Sequence, residues 1–315
     1  MTLPIAPARP AASTDFARDL LAGLRAHPRA VSPKYFYDAE GSRLFEAICE
    51  LPEYYPTRTE LALLAQHAGE MAALVGPGAE IVEFGAGASR KVRLLLEALA
   101  APRRYVPVDI SGEHLEEAAA ALRADYPTLE VRPRVADFTQ GLDLPPAAGR
   151  RVGFFPGSSI GNFDPVEAER LLRQMAGWLE GGGLLIGVDL VKDPARLHAA
   201  YNDAQGVTAA FNLNLLARAN RDLGADFDLA GFAHYAHYNP DAQRIEMHLI
   251  ARRAQRVTLC GESFDFAEGE ALHTENSYKH TVVGFHALAR RAGFKPGAVW
   301  VDAARDFSLH WLVPA

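Results

Sequence analysis

The sequence predicts an α/β fold built on a parallel sheet, and three observations predict it. Short β-rich runs alternate with amphipathic helical segments between residues 80 and 188, a Gly-x-Gly turn follows the first run at Gly85-Ala86-Gly87, and two more β-rich runs close the chain after a helix. Strands that alternate with helices pair in parallel, because each crossover needs about a helix of chain to regain the same end of the sheet.

Taken in order, strands are expected at 80–84, 105–109, 130–134, 152–155 and 184–188, where β-branched and aromatic residues cluster. Between them, 91–99, 113–123 and 166–179 place Leu and Ala at helical spacing. Asp164-Pro165 supplies an N-cap followed by proline at the first helical position, and Gly181-Gly182-Gly183 ends that helix. Residues 202–222 read as one long helix and 231–252 as a hairpin turning at Asn239-Pro240-Asp241, which together make a second, α+β unit. A helix over 281–292, stopped by Gly293, leads into closing strands at 298–302 and 307–313, expected as an antiparallel pair. Residues 1–14 are rich in Pro and Ala without a basic start and apolar middle, so they read as a loose tail rather than a signal peptide.

Composition narrows the function. The 315 residues, 49% apolar and 23% charged, are enough for about two domains with a real core. Lys+Arg total 32 against Asp+Glu 39, a net charge of −7 with no long basic run, which argues against nucleic acid as a partner. Cys49 and Cys260 stand far apart in no Cys-x-x-Cys context, so neither a disulfide framework nor a thiolate zinc site is expected, and a cytoplasmic location is. No apolar stretch approaches the roughly 20 residues a bilayer requires, and no membrane contact is expected.

The loop Val82-Glu83-Phe84-Gly85-Ala86-Gly87-Ala88-Ser89-Arg90-Lys91 joins a strand to a helix, and its glycines let backbone approach a ligand at the helix N-terminus. Asp109 ends the second strand, where an acid can accept hydrogen bonds from both hydroxyls of a ribose. Asp137-Phe138 follows the third, offering an acceptor for an adenine amine and a ring for its face. Arg90 stands where a dinucleotide fingerprint has its third glycine. S-adenosylmethionine needs no pyrophosphate cradle, so the departure favours it over NAD as the cofactor.

Four further segments are specific. Tyr35-Phe36-Tyr37-Asp38-Ala39-Glu40-Gly41-Ser42-Arg43-Leu44-Phe45-Glu46, Leu51-Pro52-Glu53-Tyr54-Tyr55-Pro56-Thr57-Arg58-Thr59-Glu60, Gly157-Ser158-Ser159-Ile160-Gly161-Asn162 and Asp189-Leu190-Val191-Lys192-Asp193 resemble the S-adenosylmethionine-dependent histidine Nα-methyltransferases of ergothioneine biosynthesis. Later stretches from Tyr201 to Asn212, from Arg244 to Met247 and at Glu275-Asn276-Ser277 are similar too, so the likeness runs from about Ser32 to the C-terminus. The resemblance implies a class I methyltransferase, Rossmann-like sheet with a terminal antiparallel pair, plus a substrate-binding unit. It implies residues 15–58 and 191–279 for substrate, and 59–190 and 280–315 for the cofactor.

By motif, the family's cofactor residues fall on Gly85, Gly87, Lys91, Asp109, Asp137 and Phe138. Its amino-acid substrate, L-histidine, is held at the α-amine and carboxylate by residues matching Tyr37, Tyr54, Gly157, Asn162 and Tyr201. Glu275 and Ser277 match those that hydrogen-bond the imidazole, and Met247 one that lines the side-chain pocket. Tyr37 and Asn162 carry the catalytic role, which is to orient the amine. Tyr278 stands where many relatives have a small residue, and turned inward it would reshape the pocket. A related branch methylates a tryptophan derivative, but an indole has a single N–H and gives little reason for a paired glutamate and serine.

No metal is expected. His234 and His237 are three apart on a strand and face opposite sides, so they do not share an ion. The family's members complete the site without a partner, which implies a monomer. An N-methyltransferase for another small amine, or a homologue that binds cofactor without turnover, remains the alternative, and no general base is identified.

Overall fold

Strand pairing in the computed structural model, which describes residues 14–87 and 89–315, follows the expected alternation. Ala88 and the expected tail, apart from Thr14, lie outside the described residues. Thr14 caps the helix Asp15–Arg25 by accepting from the Ala17 amide.

The chain divides into two compact units. The larger comprises Glu46–Asp203, Tyr238–Ile245 and Asn276–Ala315. Its eight-stranded sheet runs Phe294–Val301, Phe307–Pro314, Gly183–Asp189, Arg151–Phe155, Glu80–Phe84, Arg104–Asp109, Glu130–Val131, with Arg134–Val135 also on Arg104–Asp109. Phe307–Pro314 is antiparallel to both neighbours, as expected of a closing pair, and the remaining pairs are parallel. The strand expected over 130–134 is two short pieces, because Pro133 has no N–H to give the ladder.

Period-two alternation sends side chains to opposite faces of this sheet, and the core accordingly forms two layers. Ile81, Tyr105, Phe154 and Leu185 pack with Leu63, Met71 and Val75 of the helix Tyr55–Val75 and Leu95 of Arg90–Ala98. Val82, Phe84, Phe155, Ile186 and Val188 pack with Leu171 and Leu172 of Pro165–Trp178 and Phe285 and Leu288 of Val282–Arg291. Asp164 caps Pro165–Trp178 in a full capping box with Glu167. Chain order reverses on either side of Glu80–Phe84, the place where open α/β sheets leave a crevice at the strands' C-terminal ends.

The smaller unit comprises the described chain up to Phe45, Ala204–His237 and Glu246–Glu275. The helix expected over 202–222 is shorter, Val207–Leu223, because Gly206 sits at φ +73° and marks its start; a separate helix, Pro194–Tyr201, precedes it in the larger unit. The hairpin is present as Phe232–Asn239 and Arg244–Ala251. These strands join Ala271–Tyr278 and Arg29–Ala30 in a four-stranded sheet. A second hairpin, Gln255–Leu259 with Glu262–Phe266, turns at Cys260 and Gly261, both at positive φ. Cys49 and Cys260 are free thiols. No described helix is long and apolar enough to cross a membrane.

Candidate functional site

The expected cofactor residues gather at the switch point of the larger unit. The Gly85 and Ala86 amides both donate to Val108 O, at 2.9 and 3.2 Å, which ties the loop to the neighbouring strand. Gly85 (φ +72°) and Gly87 (φ +30°) adopt backbone that side chains rarely take, and a Cβ on either meets nothing within 4 Å. Beside them, Ser89 Oγ is buried without a hydrogen-bond partner at the start of Arg90–Ala98. Open glycine backbone and an orphaned hydroxyl at a helix N-terminus fit a polar cofactor entering here. Beneath the loop, burial pushes the Glu83 carboxyl up to about 8 against the opposing hydrogen bond from Tyr105.

Asp109 and Asp137 each anchor the turn that presents them. Asp109 Oδ1 accepts from the Ser111 amide at 2.9 Å, and Asp137 Oδ1 from the Thr139 amide at 3.0 Å. Phe138 packs edge-on against Phe84 and Phe155, with centroids 5.8 Å away in both cases. Lys91 Nζ lies 2.6 Å from Glu60 Oε2, and the wholly buried Glu60 carboxylate also accepts the Gly157 amide at 2.9 and 3.0 Å. Glu60 closes the motif that starts at Leu51, and its partners Lys91 and Gly157 are remote in sequence, so only the fold reveals what it holds. Because Glu60 takes the Gly157 N–H, that backbone donor is already engaged.

The Gly157 to Asn162 segment is folded tightly. Gly157 and Ser158 both have positive φ, +79° and +57°, and Asn162 ends the 3-10 turn Ser159–Asn162. A Cβ on Gly161 would lie 2.7 Å from Tyr278 O, so the glycine in this motif is a packing requirement. Ser158 Oγ accepts the Asp189 amide at 2.9 Å.

Asp189 is the centre of a buried network that sequence reading did not find. Its carboxylate accepts Tyr55 Oη at 2.8 Å and pairs with Lys279 Nζ at 2.8 Å and with Lys192. Lys279 also donates to Tyr201 Oη at 3.0 Å and Ser277 Oγ at 2.8 Å, while Tyr201 Oη donates to Ser277 Oγ at 2.7 Å. Burial alone would raise the Asp189 carboxyl, but the two ammonium groups hold it below the usual range. Burial alone would lower Lys279, yet Asp189 and Tyr201 hold it above its ordinary value; Lys192, for which burial dominates, is pushed down to about 8. Tyr54 meets Tyr201 edge-on at 6.4 Å.

Three expected substrate residues belong to the smaller unit. Tyr37 ends the 3-10 turn Pro33–Phe36, with its ring edge-on to Phe45 at 5.7 Å and Phe211 at 5.8 Å. Asp38 follows and caps the next helix through the Gly41 amide at 2.7 Å. A Cβ on Gly41 would lie 1.7 Å from Phe36 O, so Asp38 and Gly41 shape the motif that presents Tyr37. Met247 and Glu275 are buried on adjacent strands, where Thr274 Oγ1 donates to Met247 O at 3.1 Å. Glu275 and Ser277 lie two apart on the strand Ala271–Tyr278, as their spacing requires for a shared face. Tyr278 alternates to the other face, its hydroxyl 2.6 Å from Arg244 Nη1 and 2.9 Å from Asp164 Oδ1. It does not turn in beside Ser277.

Residues 16–314 match the model of a family described as histidine-specific, S-adenosylmethionine-dependent methyltransferases. The chain is 45% identical to a protein named histidine N-alpha-methyltransferase from Mycolicibacterium smegmatis, covering 98% of both chains. It is 42% identical to a protein of the same name from Mycobacterium tuberculosis, over 93% of this chain and 92% of that one. A Neurospora crassa protein named ergothioneine biosynthesis protein 1 is 32% identical over 90% of this chain, which corresponds to 33% of that longer protein. With its class I sheet order, its glycine loop and a match that spans nearly the whole sequence, this chain belongs to the family of histidine-specific, S-adenosylmethionine-dependent methyltransferases.

Proposed function

We propose that the chain methylates the α-amine of L-histidine three times, giving Nα,Nα,Nα-trimethylhistidine (hercynine), the first step of ergothioneine biosynthesis. The 45% identity over 98% of the chain to a protein named histidine N-alpha-methyltransferase carries the proposal. The cofactor, when bound, supplies an electrophilic sulfonium methyl. Gly85 and Gly87 would admit it, with Lys91 at the loop, Asp109 on the ribose hydroxyls, Asp137 on the adenine amine and Phe138 against the adenine face.

In-line methyl transfer to an amine needs a free lone pair and alignment, and orientation of two reactants can lower a barrier by about 7–11 kcal/mol. Tyr37, Asn162 and the Gly157 carbonyl would aim the amine. The rings of Tyr37 and Tyr54 tolerate its growing positive charge through cation–π attraction, where a carboxylate would over-bind the product. Tyr201 would take the substrate carboxylate, and Met247 would line the side-chain pocket.

Donor bookkeeping supports an imidazole at Glu275 and Ser277. Ser277 Oγ already accepts from both Tyr201 and Lys279, so its own proton is left to donate outward. A neutral imidazole offers one N–H, which suits the Glu275 carboxylate, and one bare nitrogen, which suits that Ser277 hydroxyl. Indole has no such acceptor.

In this reading residues 15–58 and 191–279 serve the substrate, and 59–190 and 280–315 the cofactor, in a cytoplasmic monomer. The functional division differs from the packing division because ligand contacts need not follow core boundaries. Mass spectrometry of a reaction with S-adenosylmethionine and L-histidine tests the proposal. Successive gains of one, two and three methyl groups are expected; unmodified histidine beside methylation of another amine contradicts it. Tyr37→Phe separates orientation by the hydroxyl from packing by the ring, and an unchanged kcat and pH profile would remove the hydroxyl from the mechanism.

A further inference from the structure

The smaller unit carries a second cluster of chemistry-bearing side chains. Along Arg244–Ala251 the alternation buries Ile245, Met247, Leu249 and Ala251, and leaves Glu246 and His248 half-buried on the opposite face. His237, on the neighbouring strand, stacks on His248 with centroids 5.5 Å apart and planes 17° from parallel. Glu246 Oε2 lies 3.4 Å from His248 Nε2 and 3.8 Å from His237 Nε2, and one ligand atom from each residue falls within 4.8 Å of the others.

These separations have a chemical meaning. Around a tetrahedral cation with bonds of about 2.0–2.1 Å, neighbouring ligand atoms stand roughly 3.3 Å apart. Two edges of the triangle are already close to that length. Both ring nitrogens of His248 and Nδ1 of His237 are buried without a hydrogen-bond partner, although a carboxylate oxygen is 3.4 Å from one of them. The Glu246 oxygen stands about one ligand–ligand edge from both imidazoles, so a cation placed between them would meet all three groups. His234 is not part of the cluster: its Nδ1 is 2.9 Å from Asn212 Nδ2, as the opposite-face argument from sequence requires.

We propose that His237, Glu246 and His248 form a three-ligand site for a borderline divalent cation of the zinc class, on the strand face opposite Met247. Two imidazoles and one carboxylate suit Zn²⁺ and disfavour Mg²⁺ or Ca²⁺, which take all-oxygen shells. His237, 36% exposed, leaves a fourth position open to water. The ion clamps two adjacent strands and raises the unfolding temperature by binding only the folded state. Methyl transfer does not pass through it.

The test is titration of the tag-free, chelator-dialysed full chain with ZnCl₂, followed calorimetrically, and with CoCl₂, followed by the visible d–d bands of tetrahedral Co²⁺. One equivalent of zinc and a tetrahedral cobalt spectrum are expected. His248→Gln and Glu246→Gln should each weaken zinc binding by more than about 100-fold, the upper end of the loss from even an outer-shell partner. His286→Gln should leave it unchanged; His286 Nε2 and His310 Nδ1, 3.0 Å apart, are the competing imidazole pair. Absence of stoichiometric zinc and of the cobalt bands overturns the site, as does zinc retained by both variants or lost in His286→Gln instead. The wild-type cobalt spectrum decides even if a variant fails to fold.

Discussion

Two buried carboxylates in the larger unit hold lysines, Asp189 two of them and Glu60 one, and they differ in what those lysines can still reach. Asp189 and Lys279 are both 1% exposed and locked to Tyr55, Tyr201 and Ser277. Lys91, on Glu60, keeps 21% of its side chain exposed beside the glycine loop. The first pair is sealed and positions other side chains. The second leaves its lysine open to solvent beside the glycine loop, so an acid–lysine pair can be closed or accessible according to its access to water.

The largest expected effect breaks the sealed pair. Lys279→Met leaves the Asp189 charge buried without its main partner, which costs about 3–5 kcal/mol in the buried pairs where one partner has been removed. Urea denaturation should show it, and a loss below about 1 kcal/mol would mean that Lys192 alone satisfies Asp189.

Acid should act next on the same unit. Burial holds His310 down to about 3, with its neighbouring histidines adding to the effect. The unfolded chain therefore binds a proton near the ordinary histidine value of about 6.5 while the folded chain does not. This contribution is complete above about 6.5 and declines as pH falls toward 3, by about 1.7 kcal/mol between pH 6.5 and 5. Stability curves at the two pH values check it, and His310→Gln should remove that share of the difference while His280, held down to about 4 by burial, keeps its own.

Glu275→Ala sharpens the comparison from the substrate side. Loss of a hydrogen bond to a charged acceptor is worth about 1.5–3 kcal/mol, which corresponds to a KM for histidine raised roughly 10- to 150-fold with kcat less affected. Steady-state kinetics decide, and an unchanged KM would take Glu275 out of the pocket. The smallest effect is expected at the half-open pair: Lys91→Met should weaken S-adenosylhomocysteine binding by about 1 kcal/mol and cost the fold less than Lys279→Met does, because the Gly157 amide still donates to Glu60 and the Lys91 position admits water. A large folding defect there would make the two lysines alike and end the contrast.

Sequence reading recovers the sheet well because its strands and helices carry strong periodicity and its caps are local: Asp164-Pro165 and Thr281 start helices as expected. It fails where one residue overrides a pattern. Pro133 splits a strand, Gly206 moves the start of a helix, and Cys260-Gly261 turns a hairpin without the Asn-Gly or Asp-Gly signal. The glycine loop and its two acids are legible for the same local reason. The Asp189 network is not, because Tyr55, Asp189 and Lys279 come from distant segments and no spacing links them. Glu60 is hidden likewise, as its meaning depends on Gly157 and Lys91 arriving beside it.

Calorimetric titration with L-histidine and with Nα,Nα-dimethylhistidine, each in the presence of S-adenosylhomocysteine, tests the central claim most directly. Saturable binding of both is expected, with L-tryptophan bound far more weakly. Tight binding of S-adenosylhomocysteine with no binding of either histidine would keep the fold and the cofactor and contradict the substrate.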